Sequence, residues 1–261
     1  MKLHFRAAHR EVAQRAYHMF TQRYGQIDDP ANADVIVSLG GDSEAIHALK
    51  HGILHRKPVF GLNFGHVGFL ENLNKEDENL IVRIKAAESV ILSPLRAKVE
   101  FIDGSTREDF AINEISVRQM IGGESTHLRF TLDNVERVPF LSGDGIIIST
   151  TVGSTAYSNS AGGSVACLGD DIILFTPNNP YKPKFSPNII RPRPMTIDVI
   201  EPEYRPAEVW ADSTLIGEKE QKVRKVDIEL DTSHPYELLF DPGYSLHEKV
   251  MRTQFPTSVL G

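Results

Sequence analysis

The sequence predicts an α/β N-terminal domain followed by a β-rich, β-sandwich-like C-terminal domain. Strand and helix signals alternate as far as about residue 93, whereas beyond about Pro94 strand-like segments dominate, separated by turn signals. The length, 261 residues, allows one large domain or two small ones.

In the first domain, Leu3 and Phe5 open a short strand. Val12, Ala13, Ala16, Tyr17, Phe20 and Tyr24 then recur at helical spacing, and Gly25 supplies a stop. Residues 33–39 form a short apolar, β-branched run, the pattern of a strand buried on both faces of a parallel sheet. It ends in Gly40-Gly41-Asp42-Ser43; a helix is expected from about Glu44 to His55, and residues 58–61 read as the next strand. This is a βαβ unit whose glycine-rich turn lies at the carboxyl end of its first strand, where α/β sheets bind ligands.

In the second domain, strands are expected at residues 95–101, 110–117, 127–132, 145–150, 172–176, 195–200, 208–211 and 223–230. Asp103-Gly104 and Asp133-Asn134 mark turns between them. Helices are expected only at about 156–167 and near 245–252. Pro177, Pro180, Pro183, Pro187, Pro192 and Pro194 make residues 176–194 an extended connection. There is no internal repeat or low-complexity tract.

Composition narrows the function classes. With 41% hydrophobic and 24% charged residues the chain is an ordinary globular one, neither disordered nor collagenous. Its 28 Lys+Arg against 35 Asp+Glu give a net charge of −7, which argues against a nucleic-acid coat. Cys167 stands alone, which excludes an intrachain disulfide and a CxxC site. That fits a reducing compartment, and residues 1–6 lack the apolar core of a secretory signal, so a cytoplasmic location is expected. Residues 145–169 carry no charged side chain and no His, yet their Ser, Thr, Asn and Gly content is foreign to a bilayer core. No membrane association is expected.

Four segments carry chemistry. The Gly40-Gly41-Asp42-Ser43 turn joins a buried strand to a helix, so backbone N–H groups and the helix dipole can receive a phosphate. An aspartate there repels an anion, but it suits a carboxylate that takes a proton from a hydroxyl or helps hold a metal ion. Helix capping by Asp42 or Ser43 is the alternative reading. A second cluster, Gly61 to Leu70, has G-x-x-x-G-x-x-G spacing, which is not a dinucleotide fingerprint and is compatible with a plain turn. Third, Asn113 and Glu114 interrupt an apolar strand, where buried polar groups need partners such as a ribose or a base; an edge or strand-end position is the alternative. Fourth, residues 142–163 run from a strand into a hydroxyl-rich loop and a helix of small residues, suited to a polar, uncharged or diffusely charged ligand. His47, His51 and His55 repeat at metal-ligand spacing, but on the helix face opposite Ile46, Leu49 and Ile53, so they are expected to point to solvent.

Taken together, these motifs resemble the NAD kinases, which transfer the γ-phosphoryl of ATP to the 2′-hydroxyl of the adenosine ribose of NAD. The resemblance covers nearly the whole chain, in order. It runs through Gly40-Gly41-Asp42, the Asn63…Gly65…Gly68-Phe69-Leu70 loop, Asn113-Glu114, and Asp144-Gly145 leading to Gly153-Ser154-Thr155-Ala156-Tyr157 and Ser160-Ala161-Gly162-Gly163. It implies the family's α/β plus β-rich fold. It also implies a C-terminal segment, about 244–261, that returns to the first domain, so the expected division is 1–93 with that segment, and 94–243.

The resemblance implies that Asp42 activates or orients the 2′-hydroxyl, and that Gly40, Gly41, Gly65 and Gly68 form the phosphate loops. Asn113 and Glu114 become contacts to the adenosine portion of NAD. Asp144, Val152, Thr155, Ala156, Tyr157 and Ser160 become further walls of the dinucleotide site, with Ser43 beside the phosphates and Asp212 as another acidic position. It further implies Mg²⁺ or another divalent cation, with no protein ligand assigned to it, and a homodimer or homotetramer. Two positions depart from the family pattern. Ser43 stands where the family has a fourth-position glycine, and Thr151-Val152 replace a Pro and a small or hydroxyl residue. The Ser43 departure raises the alternative of a non-catalytic NAD/NADP sensor. A diacylglycerol- or sphingosine-type lipid kinase, which shares the glycine turn, is the other alternative.

Overall fold

The computed structural model describes residues 1–65, 68–75, 78–244 and 250. They fall into two compact units: Met1–Ser93 together with the chain from Ser233 onward, and Pro94–Thr232.

The first unit begins with strand β1 (Leu3–Ala7), helix α1 (Glu11–Tyr24), strand β2 (Val35–Gly40), helix α2 (Asp42–His55) and strand β3 (Val59–Asn63). Strand β4 (Asn72–Leu73), helix α3 (Leu80–Ala86) and strand β5 (Glu88–Leu92) follow. β1, β2 and β3 pair in parallel, as the apolar run of β2 requires. Leu3, Phe5, Val37, Leu39, Phe60 and Leu62 project to one face and pack on Ala16 and Phe20 of α1 and on Leu80 and Ile84 of α3. Alternation puts His4, Arg6, Ile36 and Ser38 on the other face, where α2 packs. α1 stops at Gly25, whose φ of 80° only glycine adopts readily and whose N–H returns to Thr21.

The second unit contains β6 (Leu95–Phe101), β7 (Thr106–Ala111), β8 (Glu114–Gln119), β9 (Thr126–Leu132), β10 (Val135–Gly143) and β11 (Gly145–Ser149). The short helix α4 (Tyr157–Ser160) leads to β12 (Ile173–Asn178), β13 (Asn188–Ile190), β14 (Met195–Val199), β15 (Ala207–Ala211), β16 (Thr214–Leu215) and β17 (Val223–Leu230). They form two sheets, ordered β10-β9-β14-β17-β6-β7 and β13-β12-β11-β8-β15-β16. Val99, Phe130, Ile197 and Val226 from the first sheet share one core with Ile115, Val117, Ile146 and Val209 from the second, which makes the unit a β-sandwich.

Several expectations are corrected. The single strand expected at 110–117 is two strands, broken at Ile112-Asn113, and that break is part of the candidate site below. β10 escaped the sequence reading because its outer half is polar and holds Pro139. It is an edge strand with register shifts on either side of Val138, where a proline is tolerated. The helix expected at 156–167 is only one turn long, preceded by a 3-10 turn (Val152–Thr155). The second domain does not run to residue 243: the chain leaves it at Ser233, and strand β18 (Tyr236–Phe240) joins the first sheet, parallel to β3 and antiparallel to β5. Asn72 secures this return, donating to Gly61 O and Leu239 O at 3.0 Å each and accepting the Asp241 N–H at 2.7 Å. The helix expected near 245–252, and most of the segment 244–261, lie outside the described residues. Among the described residues no helix is long and apolar enough to cross a membrane.

Candidate functional site

In the first unit the glycine turn closes β2 and opens α2. Gly41 is the N-cap, and no side chain caps the helix, so its leading N–H groups remain available. Asp42 is therefore the first helical residue, not the cap. Its Oδ1 instead accepts the Leu70 N–H at 2.8 Å, tethering the far end of the second glycine loop to the turn. Within that loop Asn63 Oδ1 accepts the Gly65 N–H at 2.7 Å, and Gly68 has φ +64°. A Cβ on Gly68 would lie 2.4 Å from Asn63 Cγ, so no other residue fits there without moving Asn63. Ser43 is helical and exposed and is not among the positive-φ residues, so the position imposes no need for glycine.

These elements border a cavity of about 570 Å³. Gly40, Gly41, Asp42, Ser43, Gly65 and Gly68 line it, so the structure brings the predicted phosphate-loop residues of both clusters together. Arg6 of β1, and His9, Arg10 and Ala13 at the start of α1, also line it, and α1 likewise lacks a side-chain cap. Two helix N-termini and two arginines thus border one space, alongside Asp42 and Glu44, the latter paired with Arg6, an arrangement able to receive an anion despite the chain's net charge of −7. Sequence reasoning missed Arg6, His9, Arg10 and His47 here. The available signal was the basic cluster at the β1–α1 joint.

The histidine expectation is also corrected. His47, His51 and His55 are half-buried, and Arg6 reaches across from β1 to hydrogen-bond His51. Among the described residues no group of three or more His, Cys, Asp or Glu side chains is placed to hold a metal ion. Among the described residues Asp42 uses Oδ1 for the Leu70 N–H, and a carboxylate there fits a Mg²⁺ ion that arrives on a nucleotide and needs only one or two protein carboxylates.

In the second unit Asn113 and Glu114 sit at the break between β7 and β8. Asp212, held at φ +54°, accepts the backbone N–H groups of Ile112, Asn113 and Glu114 at 3.0, 2.8 and 3.3 Å. Both its oxygens are engaged by the main chain, so Asp212 shapes the turn that presents the pair. Glu114 is buried, and its Oε2 has no partner. Burial, reinforced by the nearby Asp212 charge, pushes its carboxyl up to about 8, against opposing pulls from Arg118 and the Tyr157 N–H. It is therefore a neutral acid near pH 7, with an O–H to donate to a ligand.

The uncharged loop packs against this turn. Asn113 O accepts the Thr150 N–H and the Ser149 hydroxyl, while Thr150 Oγ1 donates to Ile112 O. A Cβ on Gly153 would lie 2.4 Å from Asn113 O, so glycine is required for this approach. Most of the loop's hydroxyls are consumed internally, Ser154 by Ala166 O and Ser158 by Thr176. Thr155, Ala156 and Ser160 remain at least partly exposed, whereas Val152 is buried and contributes wall rather than polarity. Tyr157 spans the surface: its N–H meets Glu114, its ring centroid lies 5.7 Å from the Arg118 guanidinium, and its hydroxyl accepts from Asn178 at 2.8 Å. Arg118, also 4.5 Å from the Trp210 ring centroid, went unnoticed in the sequence.

Asp144 lies apart. β11 pairs Gly145 with Arg118 and Ser149 with Glu114, so Asp144 is five residues, about 16 Å, along the sheet from Glu114. There it accepts from Asn179 at 3.1 Å.

Comparison with known proteins gives a separate match for each of two segments of the chain. Residues 2–86 match the family model of the ATP-NAD kinase N-terminal domain, and residues 112–236 that of the ATP-NAD kinase C-terminal domain. The chain is 34% identical to an NAD kinase of Hyphomonas neptunium over 98% of both chains, and 36% identical to one of Xanthomonas campestris over 97% of both. Its fold resembles the crystal structure of an NAD kinase from Archaeoglobus fulgidus in complex with ATP, with TM-score 0.72 at 22% identity, covering 97% of this chain and 96% of that one. It also resembles yeast NADH kinase complexed with NADH, with TM-score 0.75 at 21% identity, covering 87% of this chain and 68% of that one. By its two domain matches and its full-length relatives, the chain belongs to the NAD kinase family.

Proposed function

We propose that the protein transfers the γ-phosphoryl group of ATP to the 2′-hydroxyl of the adenosine ribose of NAD, giving NADP. In the step the O2′–P bond forms, the bond from Pγ to the β,γ-bridging oxygen breaks, ADP departs, and the hydroxyl proton passes to Asp42 or is oriented by it. The single observation that carries the reading is the cavity able to receive an anion, with Asp42 on its wall, in a chain of the NAD kinase family.

Phosphoryl transfer needs positioning and charge neutralisation more than covalent chemistry. The uncapped helix starts, with Arg6 and Arg10, receive the donor phosphates. The neutral Glu114 carboxyl and the Asn113 side chain receive the adenosine portion of NAD, with Thr155, Ala156, Tyr157 and Ser160 as walls and Asp144 as a more distant contact. Mg²⁺, when bound, supplies further neutralisation of the phosphate charge. A homo-oligomer working in the cytoplasm belongs to the same proposal.

The sensor alternative rested on Ser43 standing where a positive φ or clearance for a phosphate calls for glycine; a helical, exposed Ser43 removes the first of these grounds. The lipid-kinase alternative is set aside by the matches to both NAD kinase domains. Incubation with NAD, ATP and Mg²⁺, read by an NADP-specific dehydrogenase, tests the proposal. NADP should accumulate in proportion to enzyme, and its absence at high enzyme concentration would overturn the assignment.

A further inference from the structure

Arg6 is an unusual residue for its place. It lies in β1 opposite Ser38 of β2, on the face that α2 covers, with its side chain only 27% exposed. Charge in such a layer persists only if it is paired and hydrogen-bonded. Two residues of α2 meet the requirement: Arg6 Nε donates to Glu44 Oε1 at 3.0 Å, and Arg6 Nη1 donates to His51 Nε2 at 3.0 Å. Glu44 and His51 lie seven residues apart, two helical turns, and so present one stripe to β1. The two contacts use two of the five guanidinium N–H groups, and Arg6 lines the cavity bordered by the glycine turn.

The hydrogen bond to His51 has only one direction. An arginine in a protein stays charged and can only donate, so His51 Nε2 must accept and the imidazole must be neutral with its proton on Nδ1. That Nδ1 is buried with no partner, a cost the fold accepts at this position. A histidine kept neutral, with one nitrogen left unsatisfied, acts here as an acceptor for the guanidinium. Burial, together with the charge of Arg6 and the neighbouring His55, His4 and His47, holds its pKa down at about 4, in keeping with that role.

We propose that His51 is a positioning residue for donor binding: by accepting from Arg6 it holds, together with Glu44, the guanidinium on the cavity wall against which the donor's phosphates lie. The proposal rests on the reading of that cavity as the donor-phosphate site. A guanidinium tethered at two points loses little freedom when an anion arrives, so the tethers act on affinity for the phosphates rather than on the chemical step.

The test compares wild type, His51→Leu and His51→Gln by steady-state kinetics, and by calorimetric titration with inorganic tripolyphosphate. His51→Leu should raise KM for ATP and weaken tripolyphosphate binding by about five- to tenfold, with kcat and KM for NAD changed less than about twofold. His51→Gln, whose amide oxygen can accept from Arg6, should recover most of the loss. A folded His51→Leu with unchanged KM for ATP and unchanged tripolyphosphate affinity would overturn the proposal, as would a His51→Gln as impaired as His51→Leu. If His51→Leu does not fold, Glu44→Gln, which weakens the other tether, must raise KM for ATP in the same way; an unchanged KM overturns the proposal. Should wild type form no NADP at all, the assigned reaction fails, and the tripolyphosphate affinities alone decide the role of His51.

Discussion

The Asp42 carboxylate accepts the backbone N–H of Leu70 at 2.8 Å, across 28 residues of sequence. One side chain therefore has an observed and a proposed role: Oδ1 fixes the end of the second glycine loop, and on the proposed function the carboxylate also meets the reacting hydroxyl. The two roles separate by substitution. An asparagine keeps an oxygen for Leu70 but cannot take a proton, so Asp42→Asn should fold with an unchanged melting temperature and still bind NAD. Its kcat should fall by at least about a hundredfold. Asp42→Ala releases the loop as well and should lose affinity for ATP in addition. Unchanged kcat in Asp42→Asn would show that Asp42 serves the loop alone.

Glu114 gives the protein a dependence on alkaline pH. Its folded pKa, about 8, lies above the ordinary 4.5, so between those values the folded chain holds a proton that the unfolded chain has lost. The sign follows: this group's contribution to stability is fully present below about pH 4.5 and is lost as pH rises through about 8. On the proposed function the same proton is the one offered to NAD. Affinity for NAD should therefore weaken as pH rises through about 8, and Glu114→Gln, which mimics the neutral acid, should bind NAD with that dependence flattened. Calorimetric titrations at pH 6.5, 7.5 and 9 measure both; an equal pH response in wild type and Glu114→Gln would exclude Glu114 as its source.

The parts of this site that the sequence revealed are those governed by local rules. A β-branched run ending in two glycines announces β2 and the start of α2, and alternation announces β6 and β17 with boundaries within a residue. Asp133 and Asn134, both at positive φ, form the hairpin turn their side chains favour. What stayed hidden depends on distant pairing. Nothing near Tyr236 says that it will leave the sandwich and lie beside β3, because that choice is made by Asn72 and by the open edge of β3. Likewise Arg6 reads as an ordinary surface residue until α2 brings Glu44 and His51 to it. Asp212 reads only as an acidic position until its three backbone partners, about a hundred positions earlier, show that it also holds the turn.

Ser43 provides a prediction of small effect. It is the second residue of α2, exposed and helical, and it lines the cavity. Ser43→Gly should leave kcat/KM for ATP within about twofold. It should lower the melting temperature slightly, because glycine is less favourable than serine in a helix by about 0.5 kcal/mol. A gain of tenfold or more in NADP formation would instead mean that the hydroxymethyl group obstructs the phosphates.

Gly153 makes the opposite case. Its backbone lies against the Asn113–Glu114 turn so closely that a methyl group would stand 2.4 Å from Asn113 O and 2.5 Å from Ser149 Oγ. Neither can yield easily: Asn113 O already holds the Thr150 N–H, and the Asn113 N–H is gripped by Asp212. Gly153→Ala must push the uncharged loop away from the turn, carrying the Tyr157 N–H away from Glu114. Overpacking of this kind costs about 1–3 kcal/mol, which a urea melt will register. The diagnostic effect is on ligand affinity. KM for NAD should rise by tenfold or more while tripolyphosphate binding, proposed for the other unit, stays as in wild type. If both fall together, the variant has unfolded globally; if neither falls, the loop and the turn are not coupled in the way this contact implies.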